Sequence, residues 1–99
     1  MELKDTIRGM TSENYKERFI AEYQQTKIRY EKLKAFNTKI EAAQRTMCYP
    51  INGAPENKVV MPAHDCPDEL LREQQSAMGQ YLHILEVRAV IEGIDLAEV

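Results

Sequence analysis

Between Met10 and Tyr49 the chain contains neither proline nor glycine. Across that stretch one stripe recurs at alternating spacings of four and three: Phe19, Tyr23, Thr26, Tyr30, Leu33, Asn37, Ile40, Gln44, Met47. This is the seam of a coiled-coil-like helix, and it predicts an α-helix over residues 12–47. Phe36 and Ala43 widen the apolar face. At ~1.5 Å per residue the helix is roughly 50 Å long. Thr26, Asn37 and Gln44 are polar positions inside the seam. Such residues fix register, or lie where a partner helix leaves room for water or a ligand.

A second helical pattern covers residues 67–93. Pro67-Asp68-Glu69 opens it, with proline at the first helical position and two acids in the first turn. Its core stripe is Leu71, Gln75, Met78, Leu82, Leu85 and Ala89, flanked by Tyr81 and Arg88. Leu70, Ala77, Ile84 and Ile91 extend the apolar surface, and Arg72, Ser76, Gly79, His83 and Glu86 form the polar strip. Near Val87, Val90, Ile91 and Ile94 the helix is apolar almost all round. A lone hairpin does not bury such a helix on every side, which points to a subunit interface.

Residues 3–10 read as a short helix, with Gly9 as its stop and Thr11-Ser12 as the cap of the next helix. Residues 48–66 hold three prolines and Asn52-Gly53, so they form a connection rather than a helix. The apolar runs 48–51 and 58–61 suggest a small β-hairpin there, with Pro50 against it. The expected fold is all-α: one domain over 1–99, an antiparallel two-helix hairpin with a short N-terminal helix and a long proline-containing connection. Ninety-nine residues drawn out into two helices bury a modest share of their surface. A homo-oligomer is therefore expected.

Charge changes this picture only locally. The net charge of −3 divides into +3 for residues 1–47 and −6 for residues 48–99. Antiparallel packing sets a basic helix beside an acidic one, which either stabilises assembly or leaves the basic helix as an anion site. A duplex nucleic-acid partner would call for a basic chain, and none is expected. No run of about 18 apolar residues is present, so no membrane partner is expected. Cys48 and Cys66 fit either free thiols or a single disulfide; the N-terminus lacks the apolar core of a signal peptide, which favours free thiols and a cytoplasmic location.

Candidate chemistry is sparse. Cys48, His64, Cys66 and His83 lack the paired spacing of a zinc site, and no metal or cofactor is expected. His64-x-Cys66 alone does not make a nucleophile and base, phosphate-loop and H-E-x-x-H motifs are absent, and no catalytic residue is assigned. What remains is cationic and aromatic: Tyr23, Lys27, Arg29 and Tyr30 on the first long helix, and Tyr81 and Arg88 on the second. Arg88 at the edge of a packed face requires a partner. That partner is either an acid such as Glu22 or Glu31, or an anionic ligand gripped by guanidinium and stacked on tyrosine.

Tyr15-Lys16-Glu17-Arg18-Phe19-Ile20-Ala21-Glu22-Tyr23 and Lys27-Ile28-Arg29-Tyr30-Glu31-Lys32-Leu33 on the first long helix carry a resemblance, together with Cys66-Pro67, Leu70-Leu71, Gln74, Met78, Tyr81-Leu82, Leu85-Glu86-Val87-Arg88-Ala89 and Ile91-Glu92-Gly93-Ile94. Over nearly the whole chain except the connection, it resembles a family of small helical-hairpin proteins encoded by bacteriophages and prophages. In size, hairpin layout and Tyr/Arg/Lys groups it is also similar to phage anti-defence sponges, oligomers that sequester cyclic oligonucleotide or ADP-ribose-type immune signals. The resemblance implies a non-enzymatic counter-defence protein of the host cytoplasm that holds a nucleotide-type signal; the cation–aromatic groups Tyr23, Lys27, Arg29, Tyr30, Tyr81 and Arg88 are the residues expected to hold it at subunit boundaries. The rival readings are a protein-interaction module that inhibits a host protein, and a structural oligomer with no ligand.

Overall fold

The computed structural model describes residues 1–48 and 60–97. A 3-10 turn, Leu3–Thr6, leads into the short α1, Ile7–Met10; α2 spans Tyr15–Cys48 and α3 spans Asp68–Glu92. No strand occurs among the described residues. The β-hairpin expected from 48–51 and 58–61 falls largely on residues 49–59, which lie outside them.

The start of α2 differs from expectation. The helix begins at Tyr15 rather than at residue 12, because Asn14 and not Ser12 is its cap. Asn14 Oδ1 accepts from the backbone N–H groups of Lys16 and Glu17 at 2.9 and 3.3 Å, satisfying two of the free donors of the first turn. Ser12 supports that cap: its hydroxyl accepts from the Asn14 N–H and donates to the Glu17 carboxylate. Pro67 likewise precedes α3 instead of beginning it, and its carbonyl accepts from the N–H groups of Leu70 and Leu71. At the far end Gly93 leaves the helix at φ 70°. Ile94 N–H then bonds Ala89 O at 2.8 Å, and Gly93 N–H bonds Val90 O at 3.4 Å. This is the Schellman closure, which turns Ile94 back into the core.

The two long helices run antiparallel. Tyr23 pairs with Glu86, Tyr30 with Gly79, Asn37 with Gln75, and Gln44 with Asp68, so numbers rise along α2 as they fall along α3. The molecule measures 58 × 24 × 24 Å, with a radius of gyration of 17.9 Å. A compact chain of this length would have about 13 Å. This elongation is what leaves α3 bare on its outer side.

One end of the hairpin is an apolar core of Phe19, Tyr23, Leu82, Leu85, Ala89 and Ile94, with Ile20, Tyr30 and Leu96 against it. The N-terminal segment closes over the same end of α2. Gly9 serves there as a contact point rather than as the helix stop. A Cβ at Gly9 would come within 2.8 Å of the Cβ of Ala21, so only glycine lets α1 approach this closely. Further along α2, Ile40 and Ala43 are fully buried, and Thr26 and Asn37 are buried too. The side chain of Met47, last in the predicted stripe, lies outside the description.

The core face of α3 is rotated slightly from the predicted one. Leu82, Leu85 and Ala89 are buried as expected. Gly79 and Glu86, assigned to the outward polar strip, instead meet tyrosines of α2. Leu70, Ile84, Val87, Val90 and Ile91 stand exposed.

Candidate functional site

Every seventh residue of α2 from Tyr23 presents a polar group to α3: Tyr23, Tyr30, Asn37 and Gln44. The Tyr23 hydroxyl donates to Glu86 Oε2 at 2.6 Å. Burial, and then the adjacent Glu86 carboxylate, push its phenol from 10.0 to about 12, so it is a neutral donor at any physiological pH. Lys27 Nζ lies 5.8 Å from the centre of the Tyr23 ring, within cation–π reach. One turn on, Tyr30 crosses to α3 where Gly79 offers no side chain: a Cβ there would sit 3.3 Å from Tyr30 Cε1.

The row then becomes an amide ladder. Asn37 Nδ2 donates to Leu71 O at 3.1 Å and to Gln75 Oε1 at 2.9 Å. Its Oδ1 is buried with no partner. Gln44 Nε2 donates to Asp68 Oδ2 at 2.6 Å, and Arg72 Nη1 reaches the same oxygen at 2.8 Å. Those bonds, Gln44 first, hold the Asp68 carboxyl below its ordinary value.

Tyr30 divides two grooves along this row. The larger, about 950 Å³, is lined by Tyr30, Lys34, Asn37, Arg72, Gln75, Gly79 and His83 with their neighbours. The smaller, about 180 Å³, is lined by Tyr23, Lys27, Tyr30, Glu31, Gly79, Leu82 and Glu86. A third groove of about 440 Å³ shares Tyr23 and Lys27 and reaches Met1 and Leu96.

Of the six residues singled out from sequence, the fold brings Tyr23, Lys27 and Tyr30 together. Arg88 stands apart from them. Its Nη2 donates to the Tyr15 hydroxyl at 2.9 Å, its Nε pairs with Glu92 at 3.3 Å, and its guanidinium lies 5.0 Å from the centre of the Phe19 ring. The acid that pairs with Arg88 is thus Glu92, one turn away on its own helix, in place of Glu22 or Glu31. Tyr15 in turn donates to Glu92 at 2.7 Å, which pushes its phenol upward. Arg29 and Tyr81 are exposed and line none of the three grooves. Tyr15, Gln75, Gly79 and Glu86 were not singled out. The seven-residue spacing of Tyr23, Tyr30, Asn37 and Gln44 is the available signal for the row that Gln75, Gly79 and Glu86 meet.

Among the described residues no group of three or more His, Cys, Asp or Glu is placed to hold a metal. Nor is any helix among them long and apolar enough to cross a membrane. Cys66 is a free, exposed thiol. His64 meets Phe36 edge-on at 5.9 Å and pairs through Nδ1 with Pro62 O at 2.7 Å, an arrangement that secures the approach to α3.

A family model matches residues 13–48 and 56–91, roughly three quarters of the chain. The chain belongs to the Sequestin family. The matched segments carry all of α2 and nearly all of α3, so the Sequestin match contains the whole polar row and the grooves beside Tyr30. No curated protein and no solved structure matches the chain.

Proposed function

We propose that this Sequestin is a non-enzymatic, phage-encoded counter-defence protein that sequesters a nucleotide-type immune signal, a cyclic oligonucleotide or an ADP-ribose derivative. The family's name speaks of sequestration. The observation that carries the choice of ligand is the Tyr23–Lys27–Tyr30 cluster, in which Lys27 lies over the Tyr23 ring and shares a groove with Tyr30. Such a cluster offers a charge to phosphate and ring faces to bases. Arg29, Tyr81 and Arg88 join the site only if a second subunit brings its own surface to that cluster, which is why the proposal includes a homo-oligomer in the host cytoplasm.

Calorimetric titration with cyclic dinucleotides, cyclic trinucleotides and cyclic ADP-ribose isomers tests the reading. Saturable heat with one of them is expected, and the ligand should leave intact after heat denaturation of the protein. Silence across the whole panel rejects it. Native mass spectrometry reports the subunit number in the same preparation.

A second reading has its own support. The exposed row Leu70, Ile84, Val87, Val90 and Ile91 on α3 suits a protein partner. A module that inhibits a host protein would retain a polypeptide in pull-downs from infected cells and carry no small molecule. Loss of that capture in an Ile84→Glu variant would support it.

A further inference from the structure

Helix α3 is apolar on two sides. Leu82, Leu85 and Ala89 are buried against the rest of the chain. A second row, Leu70, Ala77, Ile84 and Ile91, recurs every seven residues and is exposed throughout. Tyr81 and Val87, exposed as well, flank it. Ile84 and Ile91 are 55% and 77% exposed, so the chain itself leaves them largely uncovered. At ~1.5 Å per residue the row is roughly 30 Å long. A seven-residue apolar repeat held over that length belongs to a helix that coils against another helix. Within the chain that other helix is missing. Among the described residues α2 exposes no large apolar side chain beyond Tyr15 at its start. Met1, Ile7, Met10 and Val60, the other exposed large apolar residues, lie outside both long helices. The surface that matches the row is the row itself.

We propose that this outer row of α3 is the interface with a second copy of the chain, whose α3 packs on it antiparallel. The proposal deepens the reading above by naming the face that the second subunit covers, and it stands or falls separately from the nucleotide. A two-fold contact requires a self-complementary patch, and the row is one. Full overlap of the two rows sets Leu70 beside the partner's Ile91 and Ala77 beside the partner's Ile84, small against large at the centre. Charge selects the direction. Glu69 and Glu73 stand near the start of α3, where Arg72 is engaged with Asp68. Parallel packing would set Glu69 and Glu73 against their own copies. Antiparallel packing sets Glu73 level with the partner's Arg88, a cation whose side chain is 47% exposed, and opposes the two helix dipoles. The row also reaches the candidate site. Ile84 lines the larger groove, so a second copy seated on the row borders that groove along its α3 edge.

The test combines sedimentation of the full chain with thiol cross-linking. The unaltered chain should sediment at an even multiple of its own mass. Ile84→Glu together with Ile91→Glu places charges in the seam and should weaken assembly by about tenfold or more. Both positions are exposed within one chain, so the helical signal should persist. Direction is read after Cys48 and Cys66 are replaced by serine. Copies carrying Leu70→Cys, mixed with copies carrying Ile91→Cys, should cross-link to one another through a short thiol reagent, and neither should link to itself. Should the glutamate variant fail to fold, the milder cysteine variants decide alone. A chain that stays monomeric, an oligomer indifferent to both glutamates, or Leu70→Cys copies that link to themselves overturns the interface. A monomer that still gives heat with the nucleotide panel leaves sequestration standing. An antiparallel oligomer that gives no heat rejects the nucleotide and keeps the interface.

Discussion

The two ends of the hairpin are built from the same pair of helices and held by different physics. Around Phe19, Leu82, Leu85 and Ala89 the seam is closed by apolar burial, sealed by α1 on one side and by the returning Ile94 on the other. Around Asn37, Gln44, Gln75 and Asp68 directional side-chain hydrogen bonds flank the buried Ile40 and Ala43, with one acceptor left over. Apolar contact is strong and indifferent to orientation. Amide contact contributes little net stability, yet it fixes the orientation of the side chains it joins. The two ends thus differ in what directional bonds add to apolar burial.

The sharpest way to break the contrast is in the apolar end. Leu85 is fully buried, and Leu85→Ala should cost about 2–5 kcal/mol, read as a fall in the denaturant midpoint. A loss below about 1 kcal/mol would mean that the apolar end is not the anchor. Next, Gly9→Ala forces a methyl against Ala21 and should cost about 1–3 kcal/mol, unless α1 simply lifts away. Amide exchange over residues 3–10 distinguishes the two: lifting would speed exchange there with little change in global stability.

Tyr23 stands at the junction of the two ends, and pH probes it. Its phenol is about 12 in the fold against 10.0 ordinarily, so the stability tied to it is fully present below pH 10 and is lost as pH rises toward 12. The melting temperature should decline over that window, and Tyr23→Phe should make the decline shallower. Tyr15, raised in the same direction, leaves a residue of the effect. An identical pH profile in the variant would show that burial and the Glu86 bond do not raise the Tyr23 phenol in solution. The smallest effect is expected in the polar end. Replacing Asn37 and Gln75 together by leucine removes the donor, its partner and the orphaned oxygen at once, and should leave stability within about 1 kcal/mol of the parent. A large loss would show the amide ladder to be structural after all.

Much of the architecture was legible in the chain. The four-and-three stripe from Phe19 to Ile40 and the stripe from Leu71 to Ala89 are strong signals, since a helix that presents an apolar seam must pair it. The start of α2 was misplaced because Ser12 and Asn14 are both good caps, and only the path of the chain from α1 decides which oxygen faces the first turn. Gly9 resembles a stop for a similar reason: a glycine required by a close approach looks the same in sequence as one required by a helix end.

The site was legible only in part. Tyr23, Lys27 and Tyr30 lie within two turns of one helix, so their proximity is a local fact. The partner of Arg88 was not, because Tyr15 and Glu92 meet it only through the register of α2 against α3. By itself the sequence determined two long helices of opposite charge and the seven-residue polar row on the first. Only the tertiary structure decided that Gly79 and Glu86 meet tyrosines of α2, that Arg88 is spent at the apolar end, and that the buried Asn37 oxygen is left without a partner. The reason is that periodicity records which face of a helix is buried, while the rotation and register of two helices set which atoms on that face find a partner.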